Sequence, residues 1–311
     1  MATSGSYDYG VTLGDMIRRA FRLCDVAMPG EALSAEEEAN GREAAEHLVK
    51  ALQAQGIHLW AFSDATLFLE SGKRSYELGP DGDHATESYT GTALAADAVA
   101  SDTAVDVDSD TGISDGDNIG IVLDDDTFHW TTVNGAPSGD TITLTDAIPS
   151  AAATDNAVYA YTNKVQKPLR IHTVRIEVDG QETPILQYSR QEYFDQPNKD
   201  IEGRVTQFYY QPQIDKTLFY VWPTSDTVND LIHFTFEQPL QDFDNSTNEP
   251  YLPIEWADAF TLKLAHRLAL EYSVPARKRA ELKAESEQAL AEVEDWDRED
   301  ADVQLQPDFR F

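Results

Sequence analysis

Apolar residues recur at helical spacing near the start of the chain. Leu13, Met16, Ile17, Ala20, Phe21 and Cys24 form one stripe, which predicts a helix over residues 12–27. Thr12 stands at the N-cap with Asp15 three residues on, and Pro29-Gly30 ends the segment. A second helix is predicted from Ser34, with Glu37 in the capping-box position. Its apolar side is Ala45, Leu48, Val49 and Leu52, and Gly56 is the expected C-cap. The short connection between the two makes them antiparallel.

Beyond residue 59 the period shortens. Thr66, Phe68 and 76–78 read as short strands around Ser71-Gly72-Lys73. Five more strands are predicted at 103–107, 119–123, 127–133, 141–144 and 157–161. Asp124, Asp125 and Asp126 form the turn of a hairpin between the second and third of them. Short strands with Gly/Asp turns predict a small barrel or sandwich. Further strands follow at 174–178, 185–188, 207–210, 218–221 and 232–236, with a short helix starting at Ser189. Pro253 opens a helix with Ala257, Phe260, Leu264, Leu268 and Tyr272 on one face. Pro275 breaks it, and a last helix runs to Trp296 with Leu282, Ala289, Val293 and Trp296 along one side. The expectation is an α+β fold. Terminal helices form a bundle, strands lie between them, and an all-β module is inserted.

Charge changes this picture. The 311 residues hold 23 Lys+Arg against 56 Asp+Glu, a net charge of −33. Residues 81–163 contain 16 acids and no Lys or Arg, which leaves −17 for the other 228 residues. That shift marks 81–163 as an acidic inserted domain. Residues 1–80 and 164–311 are then a discontinuous core, and 298–311 is an extended tail. Such acidity argues against tight binding of nucleic acid or of an anionic membrane by the surface at large. The lone Cys24 excludes a disulfide framework and a multi-Cys metal site. No apolar run approaches the roughly 20 residues of a spanning helix. The polar, acidic first ten residues are not read as a signal peptide, so synthesis in the cytoplasm is expected.

Candidate chemistry is sparse. Asp106, Asp108, Asp110 and Asp117 have some of the spacing of a calcium loop, but loop position 6 is Thr111 and the flanks read as strands. The seven histidines lack zinc-ligand spacing, and no nucleophile elbow or phosphate-cradling loop is present. No carboxylate pair stands out for glycoside chemistry. Cys24 lies on an apolar stripe and reads as a small buried hydrophobe. No enzyme activity, cofactor or metal is expected. Arg18, Arg19 and Arg22 form a basic cluster. It reads as a solvated face pairing with Glu36 to Glu38, or as a docking surface for an acidic neighbour such as another copy. Phe309 and Phe311 in the polar tail, and Trp296 before it, are candidate contacts with a partner. Trp130, Tyr159 and Tyr161 are candidate sugar-stacking aromatics.

The order of the parts resembles a known family. GDMIRRAFRLCDVAMPGEALSAEEEANGREAAEHLVKALQAQGIHLW (Gly14–Trp60) is similar to the N-terminal helix pair of podophage head-to-tail adaptors, the tail accessory or packaged-DNA stabilisation factors. KPLRI (Lys167–Ile171), SRQEYFDQPNK (Ser189–Lys199), TLFYVWPTSD (Thr217–Asp226) and LPIEWADAFTLKLAHRLALEYSVP (Leu252–Pro275) resemble its later segments in order. GDNIGIVLDDDTFHWTTV (Gly116–Val133) resembles the β insertion of some members. The resemblance implies a non-enzymatic virion protein at the portal vertex, a homo-oligomeric ring, expected to be dodecameric. It would sit between the portal protein and the tail nozzle or tail tube, with a tail fibre or spike as a further partner. Double-stranded DNA would pass through the lumen without tight binding. Asp124, Asp125 and Asp126 are then candidates for an acidic channel surface. DNA carries roughly one negative charge per 1.7 Å of axis, so an acidic lumen would keep it from sticking. High-salt adaptation is the competing account of the acidity, since only nine lysines are present. The alternative functions are a carbohydrate-binding or carbohydrate-active β-module protein, and a stopper or tail component elsewhere in the virion.

Overall fold

The computed structural model describes residues 9–55 and 59–297. The expected Gly56 cap and the tail with Phe309 and Phe311 lie outside the described residues. The fold is mixed α+β. In chain order the helices are α1 Leu13–Leu23, α2 Ala35–Gln55, α3 Arg190–Phe194, α4 Trp256–Glu271 and α5 Ala276–Trp296. The chain divides into two compact units. Residues up to Ala61 and from Leu240 onward make one, and Phe62–Pro239 make the other.

The first unit is helical. Thr12 caps α1, its hydroxyl accepting from the Asp15 amide at 3.2 Å and donating to Asp15 Oδ2 at 2.7 Å. Ser34 and Glu37 form a reciprocal capping box at the start of α2. The next free amides of α1 donate to a loop: Leu13 N to Asn248 O at 2.9 Å and Gly14 N to Ser246 O at 2.8 Å. The centre of the unit is α4, which packs against α1, α2 and α5. Leu13, Ile17 and Phe21 of α1 and Phe260, Leu264 and Leu268 of α4 are buried in this core.

The last helix differs from its predicted face. The buried positions of α5 are Leu282, Ser286 and Leu290, whereas Ala289 and Val293 are half-buried and Trp296 is 62% exposed. Spacing of four follows one ridge of the helix into α4. Helix length accounts for Trp296. At 1.5 Å per residue, the 21-residue α5 outruns its antiparallel 16-residue neighbour by about 7.5 Å; Val293 still packs on the core, and Trp296 at the very end does not.

The second unit holds fifteen strands among its described residues. The first three are β1 Phe62–Phe68, β2 Ser75–Leu78 and β3 Ala85–Thr86. Next come β4 Thr90–Ala93, β5 Ala104–Asp106, β6 Asn118–Val122, β7 Phe128–Thr132, β8 Thr141–Thr143 and β9 Ala157–Tyr161. The remainder are β10 Arg170–Val178, β11 Gln181–Pro184, β12 Leu186–Gln187, β13 Gln207–Pro212, β14 Thr217–Trp222 and β15 Leu231–Glu237. Two sheets, ordered β11-β10-β15-β1-β3 and β12-β13-β14-β2, face each other as a sandwich. Leu67, Val174 and Phe234 from one, and Tyr76, Phe208 and Phe219 from the other, share its core.

The acidic segment builds a second core. Its four-stranded sheet runs β4-β9-β6-β7, and β5 pairs with β8. Single bridges Val133↔Leu144 and Leu94↔Val107 join these pieces at both ends, so the ladder closes on itself as a small barrel. Leu94, Val105, Ile119, Ile121, Ile142 and Val158 fill it.

Candidate functional site

Three groups of residues bear on function, and the fold places each differently. The acidic hairpin is the first. Leu123 N donates to Thr127 O at 2.9 Å and Asp126 N to Leu123 O at 3.1 Å, which closes the turn between β6 and β7. Asp126 takes the left-handed conformation the turn requires (φ 59°). The three carboxylates are engaged. Asp124 accepts from Ala153 N (2.8 Å) and Asn156 Nδ2 (2.9 Å), and Asp125 from Thr127 Oγ1 (2.6 Å) and Ser150 Oγ (3.1 Å). Asp126 accepts from Thr227 Oγ1 (3.2 Å) and Val228 N (3.4 Å). The Thr127 hydroxyl holds the Asp125 carboxyl below its ordinary range.

The same device recurs. Eight of the sixteen acids in 81–163 accept a hydrogen bond from a backbone amide: Asp83, Asp97, Asp102, Asp115, Asp117, Asp124, Asp126 and Asp140. Asp102 and Asp117 lock their own turns, and the other six tie together segments farther apart in the sequence. In the calcium-loop stretch, Asp106 takes the Thr141 hydroxyl and Asp117 the Ser114 amide. Among the described residues no group of three or more His, Cys, Asp or Glu could hold a metal.

The arginine cluster is the second group. The pairing with Glu36 to Glu38 does not form. Arg18 Nη2 meets Asp15 at 2.7 Å and Arg19 Nη2 meets Asp258 of α4 at 2.6 Å, because α1 packs on α4 while Glu37 is committed to its cap. Arg22 donates to Arg18 O at 3.3 Å, and no carboxylate among the described residues pairs with it. Arg18 and Arg22 line an open depression of about 360 Å³ together with Asp15, Glu31, Ala27 and Leu33. Two cations and two anions face it, so it does not select strongly for either sign.

The third group is aromatic, and only part of it was legible in the sequence. Phe68, Tyr161 and Leu231 are buried, with Tyr89, Phe128, Trp130 and Tyr159 half-buried around them. Phe68 comes from the sandwich and lies 5.0 Å from Tyr159 and 5.2 Å from Trp130 of the barrel. The Trp130 indole packs against Gly120 across the ladder and stacks on His84 at 3.8 Å with an interplanar angle of 5°. His84 Nδ1 is 2.6 Å from the Tyr161 hydroxyl. Burial, with the Lys164 and Lys73 ammonium groups, pushes the His84 imidazole down to about 4, against the pull of Asp83. The candidate sugar aromatics Trp130, Tyr159 and Tyr161 are thus brought together, and their rings form a joint between barrel and sandwich.

One further constellation has the order of a catalytic relay. Thr66 Oγ1 lies 2.9 Å from His233 Nδ1, and His233 Nε2 lies 2.6 Å from Glu177 Oε2. Thr66 is 6% exposed and sits mid-ladder between His233 and Thr86. An attacking oxygen needs access and free amides for the developing oxyanion, and here the neighbouring amides serve the sheet. The row is a satisfied cross-strand network.

No helix among the described residues is long and apolar enough to cross a membrane. No family model matches the chain, and no curated protein matches it. Among solved structures, 24% of this chain is similar to 14% of the gp54 tailspike of Acinetobacter baumannii bacteriophage AP22, in complex with A. baumannii capsular saccharide. The identity is 22% and the TM-score 0.22, a likeness that carries no argument about function.

Proposed function

We propose that this chain is a head-to-tail adaptor of a podophage virion. Copies form a ring, dodecameric by resemblance, between the portal and the tail nozzle or tube. The ring extends the DNA channel and helps retain packaged DNA. The observation that carries this reading is the resemblance of successive segments in order, from Gly14–Trp60 to Leu252–Pro275, over most of the chain.

The fold is compatible with it. The first and last resembling segments supply α1, α2 and α4, and these pack on one another. In this reading 1–80 and 164–311 are the adaptor core, 81–163 is an insertion that returns β3 to the sandwich before it builds the barrel, and 298–311 reaches a partner. Trp296 offers a large apolar surface where a neighbour or the portal would cover it. Arg22, which no described carboxylate pairs, offers a charge to an acidic neighbour, and Arg18 and Arg19 would exchange local for intersubunit pairs. A closing ring needs such heterologous contacts. No reaction or cofactor enters the reading.

The test is assembly. The purified full chain, mixed with the portal ring of the same virus, is expected to give a joint particle by cryo-electron microscopy, with rotationally arranged copies below the portal. A chain that stays monomeric and leaves the portal ring bare would refute the proposal.

A further inference from the structure

The barrel and the sandwich each have a core of their own. Between them lies the aromatic joint, and at the hairpin tip Asp126 reaches Thr227 and Val228. At the joint one polar residue of the sandwich side, His84, bonds two barrel residues at once. It covers Trp130 face to face and meets the Tyr161 hydroxyl.

We propose that His84 is an acid-released latch: its neutral ring holds the barrel against the sandwich, and a proton on that ring lets the barrel part from it while both stay folded. The closed joint has little to offer a cation at this position. The ring is half-buried, and the ammonium groups of Lys164 and Lys73 face it. Lys164 is fixed there by a bond to Gly82 O. Asp83 is the one carboxylate facing His84, and it is already shared between Lys73 at 2.8 Å and the Glu77 amide at 2.7 Å. The other facing groups, the Tyr161 phenol and the Trp130 indole, are neutral.

The sign follows from linkage. Closed, His84 titrates near 4; released into water it regains an ordinary value of about 6.5. Between these values the released form binds more protons, so lowering the pH favours release. Closure is at full strength above about pH 6.5, weakens as the pH falls toward 4, and changes no further on this account below that. Across the window the closed-to-open ratio falls by about 300-fold, the ratio of the two proton affinities.

The full chain is the object of the test. Small-angle X-ray scattering from pH 7.5 to 4 is expected to show the radius of gyration growing as acid is added, with far-UV circular dichroism unchanged. In His84→Phe, which keeps a ring over Trp130 and cannot titrate, the growth should be absent over the same window. A radius unaffected by pH in the wild type, or the same growth in the variant, overturns the latch. So does loss of secondary structure together with the expansion. Should the variant not fold, the His84 ring and Trp130 indole protons followed by NMR in the wild type decide alone. A midpoint between 4 and 6.5 with the Trp130 indole signal moving at the same pH supports the latch; a midpoint near 6.5, or one near 4 with the Trp130 signal unmoved, overturns it.

Discussion

Gly41 gives a sharp test of how closely the first two helices meet. It stands within α2, where glycine is a poor choice: alanine would favour the helix by about 1 kcal/mol. A Cβ at this position would lie 2.5 Å from Ile17 Cγ2, and 3.3 Å from both Ile17 Cγ1 and Phe21 Cε2. Ile17 and Phe21 have no exposed surface. A β-branched side chain on a helix has essentially one χ1 rotamer, so the Ile17 methyl cannot swing aside. Overpacking a close-packed core costs roughly 1–3 kcal/mol. The steric term therefore outweighs the propensity term, and Gly41→Ala should lose about 1 kcal/mol net. Urea unfolding followed at 222 nm, which weights the helical unit, measures this. Ile17→Ala alone should cost about 2–5 kcal/mol. In that background the same Gly41→Ala change should become stabilising, because the obstructing methyl is gone. The cycle then yields a coupling of about 2 kcal/mol. If Gly41→Ala stabilises the otherwise native protein by its full propensity gain, α1 and α2 do not meet at this glycine.

Two further outcomes are expected. Asp117 is 4% exposed and accepts from the Ser114 amide at 2.8 Å. Asp117→Asn keeps an acceptor and should stay within about 1 kcal/mol of wild type, whereas Asp117→Ala should cost about 2 kcal/mol; thermal melts by near-ultraviolet dichroism compare them, and equal losses would refute the turn-locking role. Residues 62–239 expressed alone should fold and melt cooperatively, because the cut ends flank the paired rung Phe62↔Glu237 and the barrel, sandwich and joint cores are all retained. A fragment without near-ultraviolet signal would show that the unit depends on the helices.

What the sequence discloses here is local. Helix α1 is legible because its apolar stripe, Thr12 cap and Pro29-Gly30 stop coincide within a few turns. The Ser189 capping box announces α3, and three consecutive aspartates announce the β6–β7 hairpin. The misses are non-local. β4 reads Thr-Gly-Thr-Ala and is a strand because β9 pairs with it. β11 is exposed throughout and alternates nothing, yet β10 holds it. The rotation of α5 depends on where α4 lies, and Arg19 finds Asp258 across 239 positions. His84 is the clearest case. Its neighbours in sequence give no hint of Trp130 or Tyr161, which arrive only when the barrel closes and docks.

The acidity takes on a different meaning once the turns are seen. Half of the carboxylates in 81–163 satisfy backbone amides, and two of these acceptors, Asp126 and Asp140, themselves have a positive φ. That accounts for a side-chain oxygen at those positions. It does not account for a charge, since asparagine offers the same oxygen and tolerates the same conformation. Nor does it account for sixteen acids with no Lys or Arg to balance them. Geometry and field are therefore separable properties of one set of residues. The backbone needs the oxygens, and the charge is left to be set by the surroundings. Under the adaptor reading, a barrel that relies on short aspartate side chains can be strongly charged without giving up its fold. Its polar work is acceptance of backbone N–H donors, which lysine and arginine cannot do.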